Sequence, residues 1–111
     1  MLGVVMLLSL GVLAACTDSR DAELVAEMEA SLSMPQGADE LNKYARFYVI
    51  ETTRGKREVL GVLLKRPSDP GVHIVKKNAL PVRFDGGCGV VNVRYSPADK
   101  TFLHVSCNGG A

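Results

Sequence analysis

Three rhythms of apolar residues follow one another along this 111-residue chain. The first, over residues 1–15, is an uncharged and largely apolar run with no polar face. The second is helical. Leu24, Val25, Met28 and Leu32 recur at the spacing of one apolar stripe while Glu23, Glu27 and Glu29 stand off it, so the pattern predicts an amphipathic helix over 19–33. Asp18 or Ser19 can cap its start, Asp21 and Glu23 suit the positive end of its dipole, and Pro35 stops it. The polar face is acidic rather than basic, which favours packing on a sheet over lying on lipid.

The third rhythm is alternation, broken by turn residues. Pro35-Gln36-Gly37 is a turn, 39–43 a short helical turn, and 45–52 a strand rich in aromatic and β-branched residues. Arg54-Gly55-Lys56 turns it into a second strand over 58–65. Pro67-Ser68-Asp69-Pro70-Gly71 is a firm break. A short strand over 72–76, a turn over 78–81 and a brief extended piece over 82–84 follow. The last hairpin joins 90–95 to 101–106. A three-residue loop, 97–99, would set Val93 opposite Leu103, Val91 opposite Val105 and Asn92 opposite His104, which keeps apolar with apolar on one face. That register places Cys107 opposite Gly89 and diagonal to Cys88. The expected fold is α+β, with one N-terminal helix packed on a four- to five-stranded antiparallel sheet.

The opening run ends in Leu13-Ala14-Ala15-Cys16, which resembles a bacterial lipobox. It is too short for a spanning helix, which needs roughly 20 apolar residues, and Asp18, Arg20 and Asp21 end it abruptly. The resemblance implies a signal peptide over 1–15, cleavage before Cys16, and a diacylglycerol thioether on the Cys16 sulfur. It also implies attachment to the cell membrane. Thr17, rather than an aspartate, follows the cysteine, which by the same resemblance implies the outer membrane, facing the periplasm, where the host has two membranes. Thr17 and Asp18 alone separate the anchor from the expected helix, and three residue steps span at most about 10–11 Å. A domain over 19–111 on so short a tether is expected to lie against the bilayer and to meet membrane-proximal partners.

Cleavage before Cys16 leaves 96 of the 111 residues, a single small domain. A core of that size buries only about 60–65% of its unfolded surface and is marginal without a staple. The chain has three cysteines, and with Cys16 assigned to lipid the remaining two, Cys88 and Cys107, are expected to form a disulfide in an oxidising compartment. Thirteen basic residues against twelve acidic ones argue against a nucleic-acid partner.

Candidate chemistry is sparse. Asp85-Gly86-Gly87-Cys88-Gly89 offers backbone N–H groups to an anion, or a thiol to His104, but it leads into a strand rather than a helix and reads better as the entry to a stapled hairpin. His73 and His104 lack metal-site spacing, and Ser96 sits in a turn without a Gly-x-Ser-x-Gly elbow. The sequence therefore assigns no catalytic residue, no cofactor and no metal. Candidate partner contacts are Tyr44, Arg46 and Tyr48, in a tyrosine-rich segment expected to be exposed in part, and Arg54, Lys56 and Arg57 at the first hairpin turn. These features point to a lipid-anchored, non-catalytic binding or scaffolding module. A periplasmic inhibitor of a hydrolase is the second expectation and an enzyme the third. An inhibitor should carry its contacts on a projecting loop such as 67–71 or 85–87, and a scaffold should use a face of the sheet.

Overall fold

In a computed structural model, residues 19–66 and 68–109 are described. Helix α1 spans Ser19–Ser31. It buries Val25 and Met28 fully, with Leu24 and Leu32 packed beside them, so the stripe read from the spacing is the face that meets the sheet. The helix ends two residues short of the expected 33, and Ser31 Oγ donates to Met28 O at 3.2 Å in its last turn.

The sheet has five strands: β1 Tyr44–Thr53, β2 Lys56–Lys65, β3 Gly71–Ile74, β4 Val90–Ser96 and β5 Thr101–Cys107. Their order across the sheet is β3-β1-β2-β4-β5. A 3-10 turn at Leu41–Lys43 feeds β1, as the sequence suggested. The fold is α+β, but the sheet is mixed rather than purely antiparallel, because β3 pairs parallel with β1. The cause is positional. β4 occupies the free edge of β2, so the strand after β2 must take the far edge of β1 and run in β1's direction. Arg66 N–H donates to Lys43 O at 3.0 Å as the chain passes the start of β1.

On the face under α1, a row of residues builds the main core: Tyr44 and Tyr48 from β1, Val59 and Leu63 from β2, and Val91, Val93 and Tyr95 from β4. Tyr48 lies over its cross-strand partner Gly61, where an added Cβ would stand 2.7 Å from the ring, so this close approach requires glycine. On the opposite face Val62, Leu64 and Val90 form a second cluster, covered by Phe47 and by Leu80 from the connection between β3 and β4. The sheet is thus buried on both faces near its centre.

The last hairpin departs from the expected register. Its loop has four residues, 97–100, since Ser96 pairs with Thr101 and Tyr95 with Phe102. A bulge at Leu103 then shifts the ladder by one, so that Arg94 faces His104, Val93 faces Val105 and Val91 faces Cys107. The extra residue restores apolar pairing that a single register with this loop length would have lost. Residues 82–84, expected as a brief extended piece, belong to no strand.

Candidate functional site

Of the residues singled out in the sequence, Cys16 lies outside the described residues. Tyr44, Arg46 and Tyr48 project from β1 toward α1. Tyr44 and Tyr48 are 0% exposed, so the expectation of exposed rings in this segment is corrected. The segment stands out in the sequence for its tyrosine and arginine content, but strand alternation places every second residue of it beneath the helix. Arg46 pairs with Glu29 of α1 through two bonds of 3.0 Å, and the Tyr48 hydroxyl donates to the same carboxylate at 2.6 Å. The bond to Glu29 raises the Arg46 pKa. Burial, and then the bond to Glu29, push the Tyr48 phenol well above its ordinary range. These groups fix the helix on the sheet. Tyr44 works likewise: its hydroxyl donates to Cys88 O at 2.7 Å and accepts from the Asp39 N–H at 3.1 Å, joining the segment after α1 to the disulfide.

The basic residues stay on the surface, and several meet acids. Arg57 approaches Asp21 at 3.5 Å, Lys65 approaches Asp39 at 3.0 Å and Lys77 approaches Glu51 at 3.5 Å. The Glu40 N–H, and then Lys65, lower the Asp39 pKa. Arg54 and Lys56 are exposed at the tip of the β1–β2 hairpin.

Cys88 and Cys107 are joined in a disulfide. Cys88 therefore has no thiol to offer His104, whose Nε2 lies 2.6 Å from Ser106 Oγ instead. His73 stacks on Phe47 with ring centroids 4.9 Å apart. Among the described residues no group of three or more His, Cys, Asp and Glu side chains is placed to hold a metal ion, and no helix is long and apolar enough to cross a membrane.

The feature that sequence reasoning missed is the apolar pair just ahead of the loop at 85–87. Val82 is 67% and Phe84 91% exposed, in a domain that buries its other aromatic rings wholly or in large part. Leaving a phenylalanine in water forgoes about 1.5–3 kcal/mol of burial. The backbone around it is nonetheless fixed. Asn108 Nδ2 donates to Arg83 O at 3.0 Å and to Asp85 O at 2.9 Å, the two carbonyls that flank Phe84. Asn108 is itself held: its Oδ1 accepts from Asn92 Nδ2 at 2.6 Å, and its N–H reaches Gly87 O at 3.1 Å and Val90 O at 2.9 Å. Gly86 and Gly87 take positive φ values of 109° and 54°, turning the chain into a 3-10 turn at Gly87–Gly89 that carries Cys88. The usable signal was Val-Arg-Phe, apolar-polar-apolar with no partner strand, just ahead of a glycine pair and a bridged cysteine.

Comparisons with protein families, with curated proteins and with solved structures each find no match to this chain.

Proposed function

We propose that this chain is a lipid-anchored module of the cell envelope that works by binding a protein partner and not by catalysis. The anchor is the diacylglycerol on Cys16 implied by Leu13-Ala14-Ala15-Cys16, with residues 1–15 removed as a signal peptide and, where the host has two membranes, the outer membrane as destination. The Cys88–Cys107 bridge supports an oxidising, extracytoplasmic location. One observation carries the binding role: an exposed apolar tip, Val82 and Phe84, on a loop tied down by Asn108 and adjoining the disulfide. Large exposed apolar groups on a rigid frame are what protein partners bury at the centre of an interface. The same loop favours the inhibitor reading over a scaffold, since the contacts sit on a projection and the centre of the sheet is covered on both faces.

The anchor is tested by Cys16→Ser. The wild-type chain should incorporate a fatty-acid probe and fractionate with the membrane, and the variant should lose the label and accumulate as uncleaved precursor or soluble protein. Equal labelling of the two chains would contradict the proposal.

A further inference from the structure

The carbonyls on either side of Phe84 are both held by one side-chain amide, that of Asn108. The N–H and C=O of Phe84 itself have no hydrogen-bond partner among the described residues. Residues 81–83 belong to no strand, and the Val82 N–H has no partner among the described residues, while Val82 O accepts from the exposed side chain of Arg83 at 3.2 Å. An exposed apolar side chain, an unengaged carbonyl and a preceding segment that belongs to no strand are what a serine-type peptidase reads in a substrate. The side chain fills its S1 pocket, the carbonyl oxygen enters its oxyanion hole, and the preceding residues add to its cleft as a strand.

We propose that residues 82–85 form an inhibitory loop for a serine-type peptidase with an apolar S1 pocket, bound in the manner of a substrate with Phe84 in that pocket. The inference deepens the binding reading above and rests on it, but makes no use of the anchor. The peptidase hydroxyl attacks the Phe84 carbonyl carbon, and its proton passes to the peptidase's histidine. If the Phe84–Asp85 bond breaks, that proton goes to the Asp85 nitrogen, leaving Phe84 as an acyl ester. Asn108 then bridges both new ends through Arg83 O and Asp85 O, and Cys88–Cys107 adds a second hold on the Asp85 side. The amine stays beside the ester, attacks it, returns the proton and restores both the peptide bond and the hydroxyl. Re-closure of a held amine outruns attack by water because it is effectively intramolecular. Asn108 is a positioning residue in this scheme. Entry of this tip into lipid is disfavoured by the unpartnered N–H and C=O of Phe84 and by Asp85 beside it.

The test uses the purified full chain in mild detergent, with chymotrypsin as probe and trypsin as control. The wild type should inhibit chymotrypsin competitively, and mass spectrometry should find cleavage at Phe84–Asp85 alone, stopping short of completion. Phe84→Ala should weaken inhibition by roughly 30-fold or more. Phe84→Lys, a change at an exposed position, should move inhibition from chymotrypsin to trypsin. Asn108→Ala should speed cleavage at Phe84–Asp85 and lose inhibition with time, turning inhibitor into substrate. Cys16→Ser should inhibit like wild type, which separates failure of the loop from failure of the anchor. The proposal is overturned if the wild type does not inhibit, if Phe84→Ala inhibits equally, or if Asn108→Ala changes neither cleavage nor inhibition. In the Cys16→Ser background, loss of vesicle retention on adding Phe84→Ala, with chymotrypsin untouched by the wild type, would make the loop a lipid contact and equally overturn it.

Discussion

Glu29 serves two sheet residues at once, the guanidinium of Arg46 and the hydroxyl of Tyr48, from a site where its side chain is 13% exposed. Hydrogen bonds to a charged group contribute about 1.5–3 kcal/mol, so Tyr48→Phe should destabilise the domain by that order at neutral pH. The difference should depend on pH. The folded state keeps the Tyr48 proton beyond its ordinary pKa of 10.0, whereas the unfolded chain releases it there. The unfolded state then binds fewer protons, so stability falls as pH rises above about 10, and below that value the contribution is fully present. Urea unfolding at about pH 8 and about pH 11 should show wild type losing more stability than Tyr48→Phe across the interval. Parallel losses would remove Tyr48 from the account. None of this was legible beforehand, because alternation gives a side chain's face and not which face a helix will cover. Asn108 was less legible still: one asparagine after a cysteine carries no pattern, and its partners Arg83, Asp85 and Asn92 are distant in sequence.

Elements set by local chemistry were readable. The β1–β2 hairpin closes through two residues, since Thr53 pairs with Lys56, and both loop residues are left-handed: Arg54 at φ 55° and Gly55 at φ 78°. This is the backbone of a type I′ turn, whose right-handed twist suits a hairpin and whose first position favours asparagine. A left-handed arginine costs roughly 1–2 kcal/mol, part of which asparagine recovers. Arg54→Asn should therefore stabilise by about 0.5–1 kcal/mol and raise the melting temperature by roughly 2–8 °C. Gly55→Ala should lower stability by about 1 kcal/mol or more. An unchanged melting temperature in both variants would contradict the turn geometry. The β4–β5 hairpin shows where such reading stops. Matching apolar residues assumed one register throughout, and the bulge at Leu103, which leaves that side chain 51% exposed, breaks the assumption. The parallel pairing of β3 was equally hidden, because which strand it lies beside depends on which sheet edge β4 later occupies.

At the scale of the molecule, one end of the sheet is gathered around the Cys88–Cys107 bridge. Cys88 Sγ lies 3.7 Å from Gln36 O, in the segment after the helix, and Cys88 O accepts from Tyr44 of β1. The bridge carries the same junction to Cys107 at the end of the edge strand β5, with Asn108 and the Phe84 loop immediately beyond. Cysteine arithmetic made the pair visible, and its 19-residue separation sets the scale of its effect: closing such a loop in the unfolded chain contributes on the order of 3 kcal/mol. For a domain of this size that corresponds to roughly 12–24 °C in melting temperature. Reduction should therefore shift thermal unfolding by that amount. Because the helix–sheet core around Met28, Tyr48 and Leu63 has no share in the bridge, the loss should begin locally. Hydrogen exchange on the reduced protein should first quicken at 83–92 and 105–108, while β1 and β2 keep their protection. Uniform quickening across all five strands would mean that the staple supports the whole domain rather than the end that presents Phe84, and the loop would then have no rigidity of its own to offer a partner.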